Sequence, residues 1–450
     1  MIRYTTSLAA MLLLGTACSA QQRSNFPQAK GMTDEGPGTT AVPGAATQGP
    51  QGPQPAGADR PVPKDAPVAT IRNVAATTGR ANLAPTPPPG ATEEVARFDA
   101  PFAMALLPND DVLVTEKAGR LKLLQNFRWP STKAESNTSD VPGVPAVARG
   151  GQGGLLDVAV APDFAASKTV YLSYAEPRPH GSALALAKAT LAITNHVCVR
   201  APCFQSASLQ QVQVIWRAGS DGPGGQFGAR IAFSPDGRYL FLTSGERQRF
   251  TPAQDPDQLR GKVVRLTLDW HAAPGNPFAG KGAAQAMIWT SGHRNPYGLL
   301  FTPDGRLWEE EMGPRGGDEL NLLEPGRNYG WPIVSNGDNY SGQPIPDHPS
   351  RPDLAAPALW WNPSISPGGM AYYDGTMFPR LKGSLLIAAL SGEGVAQVKL
   401  DGATATPAAF WTMGTRIRDV AVASDGAIWL LEDGERGAGG RLMRMTRKRQ

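Results

Sequence analysis

A short turn recurs six times along this chain, and no other feature constrains the fold as strongly. It reads Leu107-Pro108-Asn109-Asp110, Ala161-Pro162-Asp163-Phe164, Ser234-Pro235-Asp236-Gly237, Thr302-Pro303-Asp304-Gly305, Ser366-Pro367-Gly368-Gly369 and Ala423-Ser424-Asp425-Gly426. Proline presets one dihedral of a turn, and Asp or Gly tolerates the next. After most of these turns comes an alternating segment of β character: 111–115, 169–174, 239–244, 306–310 and 427–431. The fifth is followed only by the short run Gly369 to Tyr373. An interval of roughly 55–75 residues is longer than one hairpin and suits a four-stranded sheet repeated around an axis. Six markers predict an all-β chain folded as a six-bladed β-propeller of four-stranded blades. A β-sandwich would need as many strands but would not explain the recurrence. The 51 glycines and 42 prolines agree with many short turns.

The repeats begin near Val95, so the propeller is expected over 93–450. From 21 to 92 the chain is Gly, Pro, Ala, Thr and Gln with few large apolar residues, a composition that buries too little surface to offset ordering entropy. This stretch reads as a disordered linker. Residues 1–20 read as a signal peptide, with Arg3, an apolar run from Leu8 to Leu14, and small residues at Gly15-Thr16-Ala17. That run is too short to span a bilayer. Two processing outcomes are open: lipidation at Cys18 after an imperfect lipoprotein box, or cleavage after Ala20. Both place the protein in the periplasm or cell envelope, with membrane contact only through an N-terminal lipid anchor. Cys198 and Cys203 lie close enough in sequence to pin one loop as a disulfide in an oxidising compartment, the alternative being two free thiols. Net charge is only +4, and basic residues cluster only at Arg444, Arg447, Lys448 and Arg449. No nucleic-acid footprint is present.

The densest chemistry lies between Gly292 and Pro332: GHRNPYGLLFTPDGRLWEEEMGPRGGDELNLLEPGRNYGWP. It sets a cation, an amide and carboxylates on loops between strands, which is how rigid β scaffolds carry binding sites. Together with GGQGGLLDVAVAPDF, QFGARIAFSPDG, AQDPDQLRGKVVRL and RIRDV, the run resembles the glucose/sorbosone dehydrogenase family, and is similar to its soluble aldose sugar dehydrogenase branch. The resemblance extends from about Val95 to Arg444. It implies an oxidoreductase that holds pyrroloquinoline quinone (PQQ) and calcium, oxidises an aldose sugar at the anomeric carbon, and passes electrons to an external acceptor. Arg294, Arg416 and Arg418 match the family's cofactor-binding arginines, and Arg294 is also, with Gln226, a candidate catalytic residue. Gln152, Asn295 and Ser364 fall among its polar cofactor contacts. Alternation puts Arg416 and Arg418 on one face of a strand, with Ile417 on the other. The competing role for these arginines is to brace loops through Asp318, Glu319 or Asp419. Gly313 and Pro314 match the turn whose carbonyls hold the family's catalytic calcium, and Asp318 and Glu319 an acidic pair used in some members for a second one.

Three positions depart from the family pattern. Gln226 stands where the family has its catalytic histidine; an amide can hydrogen-bond a sugar hydroxyl but cannot take its proton near neutral pH. Met312 replaces a Gln or His beside the calcium turn, and Ser391 a lysine that reaches the cofactor. His293 belongs to the GHRNP turn and reads as structural. Asp221, Glu311 and Glu393 are the candidate substitute bases. Two other functions fit the same scaffold: a non-catalytic propeller binding a glycan or a protein partner, and a calcium-dependent lactonase.

Overall fold

A computed structural model describes residues 79–125, 137–195, 205–219, 222–434 and 439–448. Each marker turn except the fifth joins the first and second strands of a sheet, and six such sheets follow one another along the chain. Blade 1 pairs Pro101–Leu106, Val112–Glu116, Arg120–Gln125 and Asn137–Asp140 in order. Blade 2 is built from Leu155–Val160, Thr169–Arg178, Gly181–Asn195 and Gln205–Arg217, and blade 3 from Gly228–Phe233, Tyr239–Ser244, Lys262–Thr267 and Ile288–Ser291. Blade 4 uses Pro296–Phe301, Leu307–Glu311, Asp318–Leu323 and Leu359–Trp361, and blade 5 uses Pro367–Tyr373, Ser384–Ala389, Gly394–Asp401 and Thr404–Thr412. Blade 6 takes its first three strands, Ile417–Val422, Ile428–Glu432 and Gly440–Thr446, from the end of the chain. Its fourth, Ala91–Phe98, comes from the beginning. The six-bladed propeller is thus closed by pairing the first and last parts of the fold.

Alternation along the strands explains why the sheets stack radially. In blade 5, Leu385, Ile387 and Ala389 join Trp308, Leu320 and Trp361 of blade 4, while Leu386 and Ala388 join Ile417, Val420 and Leu430 of blade 6. Each sheet therefore buries both faces, which is why its strands read as nearly continuous apolar runs. A matching layer of Val112, Val114, Trp429 and Leu431 seals blade 6 against blade 1.

Two sequence expectations change. The fifth marker is not a turn between strands; Pro367 opens the first strand of blade 5, whose own turn spans 374–383 and contains the short 3-10 helix Pro379–Leu381. The expected linker 21–92 ends sooner than its composition suggests. Gly79–Arg80 and Pro85–Thr86 pair in parallel with the outer strands of blades 4 and 5, and Ala91 already pairs with Thr446. Backbone pairing needs no large side chain, so a Gly- and Pro-rich segment can add to a sheet edge. The expected signal peptide with Cys18, the rest of the expected linker, Cys198, Cys203 and Asp221 lie outside the described residues. Among the described residues no helix is long and apolar enough to cross a membrane.

Candidate active site

Antiparallel blades put the start of each first strand and the end of each second strand on the same rim. The expected site residues follow this rule. Gln152, Gln226, Arg294, Asn295, Ser364 and Arg416 each shortly precede a first strand, and Gly313 follows a second strand. A small ribbon, Arg315–Gly316 with Gly337–Asp338, draws the 339–343 loop over the same rim. Gly317 permits the close crossing: its φ is +68°, and a Cβ there would stand 2.4 Å from the Gly337 nitrogen.

A cavity of about 300 Å³ opens beneath that loop, lined by Gln226, Glu246, Arg294, Pro314, Trp331 and Tyr340 among others. Arg294 is its cation. One nitrogen, Nη1, donates to the carbonyls of Met312 (2.9 Å) and Gly313 (2.6 Å), and Nη2 to the Tyr340 hydroxyl at 3.4 Å. The guanidinium lies 5.2 Å from the Trp331 ring and 5.7 Å from that of Tyr340. Its buried Nε has no partner, and it makes no ion pair among the described residues. Behind it the GHRNP turn is fixed by Glu311, which accepts from the Arg294 nitrogen at 2.5 Å and the Asn295 nitrogen at 3.2 Å. His293 is fully buried, bonded to Glu311 (3.1 Å) and Thr290 (2.8 Å) and stacked on Tyr329, as a structural residue should be. Glu311 therefore holds the turn from behind.

Gln226 sits in the left-handed region, φ 54°, unusual for a residue with a side chain. Gln152 holds it there, its Oε1 accepting the Gln226 backbone N–H at 2.6 Å. With its amide turned to satisfy both neighbours, Gln226 donates to Glu246 Oε1 and accepts from Arg294 Nη2 at 2.9 Å. Asn295 Oδ1 accepts the next turn's Gly228 N–H at 3.3 Å. Glu246 is 1% exposed and escaped the sequence reading. Extending the Gly228↔Ser244 pairing by two residues on each strand would have put it opposite Gln226.

The remaining expected residues lie on the same rim but do not line this cavity. Arg416 Nε and Arg418 Nε each donate to Asp433 at 2.8 Å, one to each carboxylate oxygen. Burial opposes the charge on Asp433, but Arg418 and Arg416 overcome it and hold the group below the usual carboxylate range. The bracing acid is thus Asp433 rather than Asp318, Glu319 or Asp419. Asp318 accepts from the Gly313, Ile365 and Ser366 nitrogens and from Ser364 Oγ at 2.5 Å. Glu319 is bonded to His348 at 3.0 Å. Ser391 donates to Ser366 Oγ at 2.8 Å, and Glu393 is exposed on the same blade-5 turn. Around Gly313 the donor set is closed to a cation in this arrangement. Its carbonyl receives a guanidinium, Met312 offers a thioether, and both nearby carboxylates are bonded elsewhere.

A six-bladed propeller with a buried arginine and two aromatic rings lining a cavity at its rim defines a small-molecule-binding scaffold. Residues 98–444 match the model of the glucose/sorbosone dehydrogenase family. The chain is 37% identical to aldose sugar dehydrogenase YliI of Escherichia coli over 76% of this chain and 89% of that protein. The crystal structure of the apo E. coli aldose sugar dehydrogenase superposes with a TM-score of 0.70 at 33% identity, covering 80% of this chain and 99% of that one. The PQQ-bound aldose sugar dehydrogenase of Streptomyces coelicolor gives 0.60 at 28%, with the same coverage. The chain belongs to the glucose/sorbosone dehydrogenase family.

Proposed function

We propose that this protein is a PQQ-dependent oxidoreductase that oxidises aldose sugars at the anomeric carbon. The observation that carries the reading is Arg294: a buried guanidinium with an orphaned nitrogen and no ion pair among the described residues, close to two aromatic rings in a cavity. A cation in that state suits a flat polyanion, since charge-assisted bonds to a carboxylate are the strongest it can make. The residues fit the quinone, with Arg294 as its anchor, Trp331 and Tyr340 as walls, and Gln152 and Asn295 shaping the adjoining loop. Arg416, Arg418 and Ser364, on the same rim but outside that cavity, would join from blades 5 and 6. When bound, the quinone supplies the two-electron acceptor; the chain's own residues bind, orient and exclude water. Gln226 orients the sugar hydroxyl. With the Arg294 guanidinium on the Gly313 carbonyl, the calcium turn as arranged does not fit a cation.

The purified chain, mixed with PQQ and desalted, is expected to retain quinone absorbance and to reduce a dye with one or more aldoses. A chain retaining no quinone would instead favour a propeller that binds a glycan or a protein. That second reading draws on the changes at Gln226, Met312 and Ser391. Export belongs to the same proposal, and the mass of the mature N-terminus separates lipidation at Cys18 from cleavage after Ala20.

A further inference from the structure

We propose that Glu246 is the general base of this chain, taking the proton that an amide at position 226 cannot; the inference rests on the dehydrogenase reading above. Among the described residues, Glu246 is the only carboxylate that lines the cavity beneath the 339–343 loop. The other rim acids are committed elsewhere. Glu311 holds the GHRNP turn, Asp318 accepts from four donors, Asp433 clasps two arginines, and Glu393 lies exposed on blade 5.

Glu246 divides its two oxygens unequally. Oε2 accepts the backbone N–H groups of Arg249 and Phe250, the latter at 2.5 Å, and so fixes the carboxylate on its own turn. Oε1 meets the Gln226 amide, at the edge of the cavity. Burial pushes the group above the usual glutamate range although the backbone donors oppose it. The charged groups facing it are Arg294 from blade 4 and Arg247 and Arg260 from its own blade. A carboxylate raised in this way is a better match to proton transfer near neutral pH than a solvated one.

The step balances. The O–H bond of the anomeric hydroxyl breaks and its proton passes to Glu246 Oε1. The hydroxyl oxygen forms the second C–O bond as C1 loses hydride to an ortho-quinone oxidant. The sugar is oxidised to the lactone, the quinone is reduced, and Glu246 later returns its proton to water. Gln226 is a positioning residue: its amide steers Oε1 and leaves the proton to the acid.

Quinone retention is measured first. A wild-type chain that retains none fails at the dehydrogenase reading and takes the base with it. Glu246→Gln keeps oxygen acceptors for the 249–250 turn and is expected to retain quinone while lowering kcat about a hundredfold or more. The decisive comparison is the same substitution in a Gln226→His background. An imidazole there supplies its own base, so Glu246→Gln should then cost roughly tenfold or less. Equal losses in both backgrounds would make Glu246 a strut and overturn the proposal, as would unchanged kcat in Glu246→Gln alone. Without any turnover, infrared difference spectra of wild type against Glu246→Gln should show one carboxyl band titrating above the ordinary glutamate range and shifting on addition of aldose. A wild type without that band also overturns it.

Discussion

Arg230 and Arg294 begin neighbouring blades and differ in what their donors meet. Arg230 reaches Asp157 of blade 2 at 3.0 Å, Asp419 of blade 6 at 3.1 Å and the Tyr297 carbonyl of blade 4 at 2.5 Å. It also lies 5.6 Å from the Phe102 ring of blade 1, and close enough to Gly369 of blade 5 that a Cβ there would meet it at 2.5 Å. Only a group on the propeller axis can touch all six blades, and this one spends its charge on carboxylates. Arg294, out at the rim, spends its donors on two backbone carbonyls, the Gln226 amide oxygen and a phenol, leaves Nε without a partner, and makes no ion pair among the described residues. Burial alone therefore does not distinguish a structural from a binding arginine, since both are nearly inaccessible. The difference lies in pairing: a cation ion-paired to acids of other blades ties the fold together, and one without an ion pair among the described residues is left for a ligand.

The comparison can be broken most sharply at the axis. Arg230→Met leaves Asp157 and Asp419 buried without their cation and is expected to cost about 3–5 kcal/mol in denaturant unfolding. A loss under roughly 1 kcal/mol would show that the axis does not depend on that charge. Asp433→Asn releases Arg418, which is buried, and Arg416, which is half exposed; about 1–3 kcal/mol should be lost, less than at the axis because solvent reaches one partner.

A third measurement concerns Asp318. Burial raises its pKa to about 6, although Ser364 and three backbone N–H groups oppose the rise. The folded state then binds more protons than the unfolded one, whose Asp titrates near ~3.9. Its contribution to stability is full below about pH 4 and is lost as pH rises through about 6, at no more than ~1.4 kcal/mol per pH unit. Asp318→Asn should remove that part of the slope between pH 4 and 6; an unchanged slope would mean the aspartate stays ionised. The smallest stability effect is expected at Arg294→Ala, about 1 kcal/mol or less, since it frees carbonyls that water in the cavity can reach. The same variant should lose quinone retention altogether. If it retained quinone, the contrast between the two arginines would not mark the binding site.

The blades were legible because their turns are local: a proline and an Asp or Gly fix four residues regardless of the rest of the chain. Blade 5 shows the limit. Its turn, Asp374-Gly375-Thr376-Met377-Phe378-Pro379, carries no Pro-Asp-Gly signature, while Pro367 mimics one at the opposite rim. The closing strand was only half visible, because Ala91–Phe98 has no neighbour in sequence to pair with. At the site, matched motifs put Gln226, Arg294 and Pro314 around one cavity. Strand alternation put Arg416 and Arg418 on a common partner. What the sequence could not supply was that partner's identity, or Glu246, because each depends on which hairpin end faces which across the rim.

The seam in blade 6 has a practical consequence. Since Ala91–Phe98 lies hydrogen-bonded beside Gly440–Thr446, the ring's entry and exit points are adjacent in space, and the order of blades around the axis does not depend on where the backbone begins. A circular permutant, joined by a short linker across that seam and reopened at an exposed turn such as the one at Asp304, should assemble the same cylinder with the same mouth.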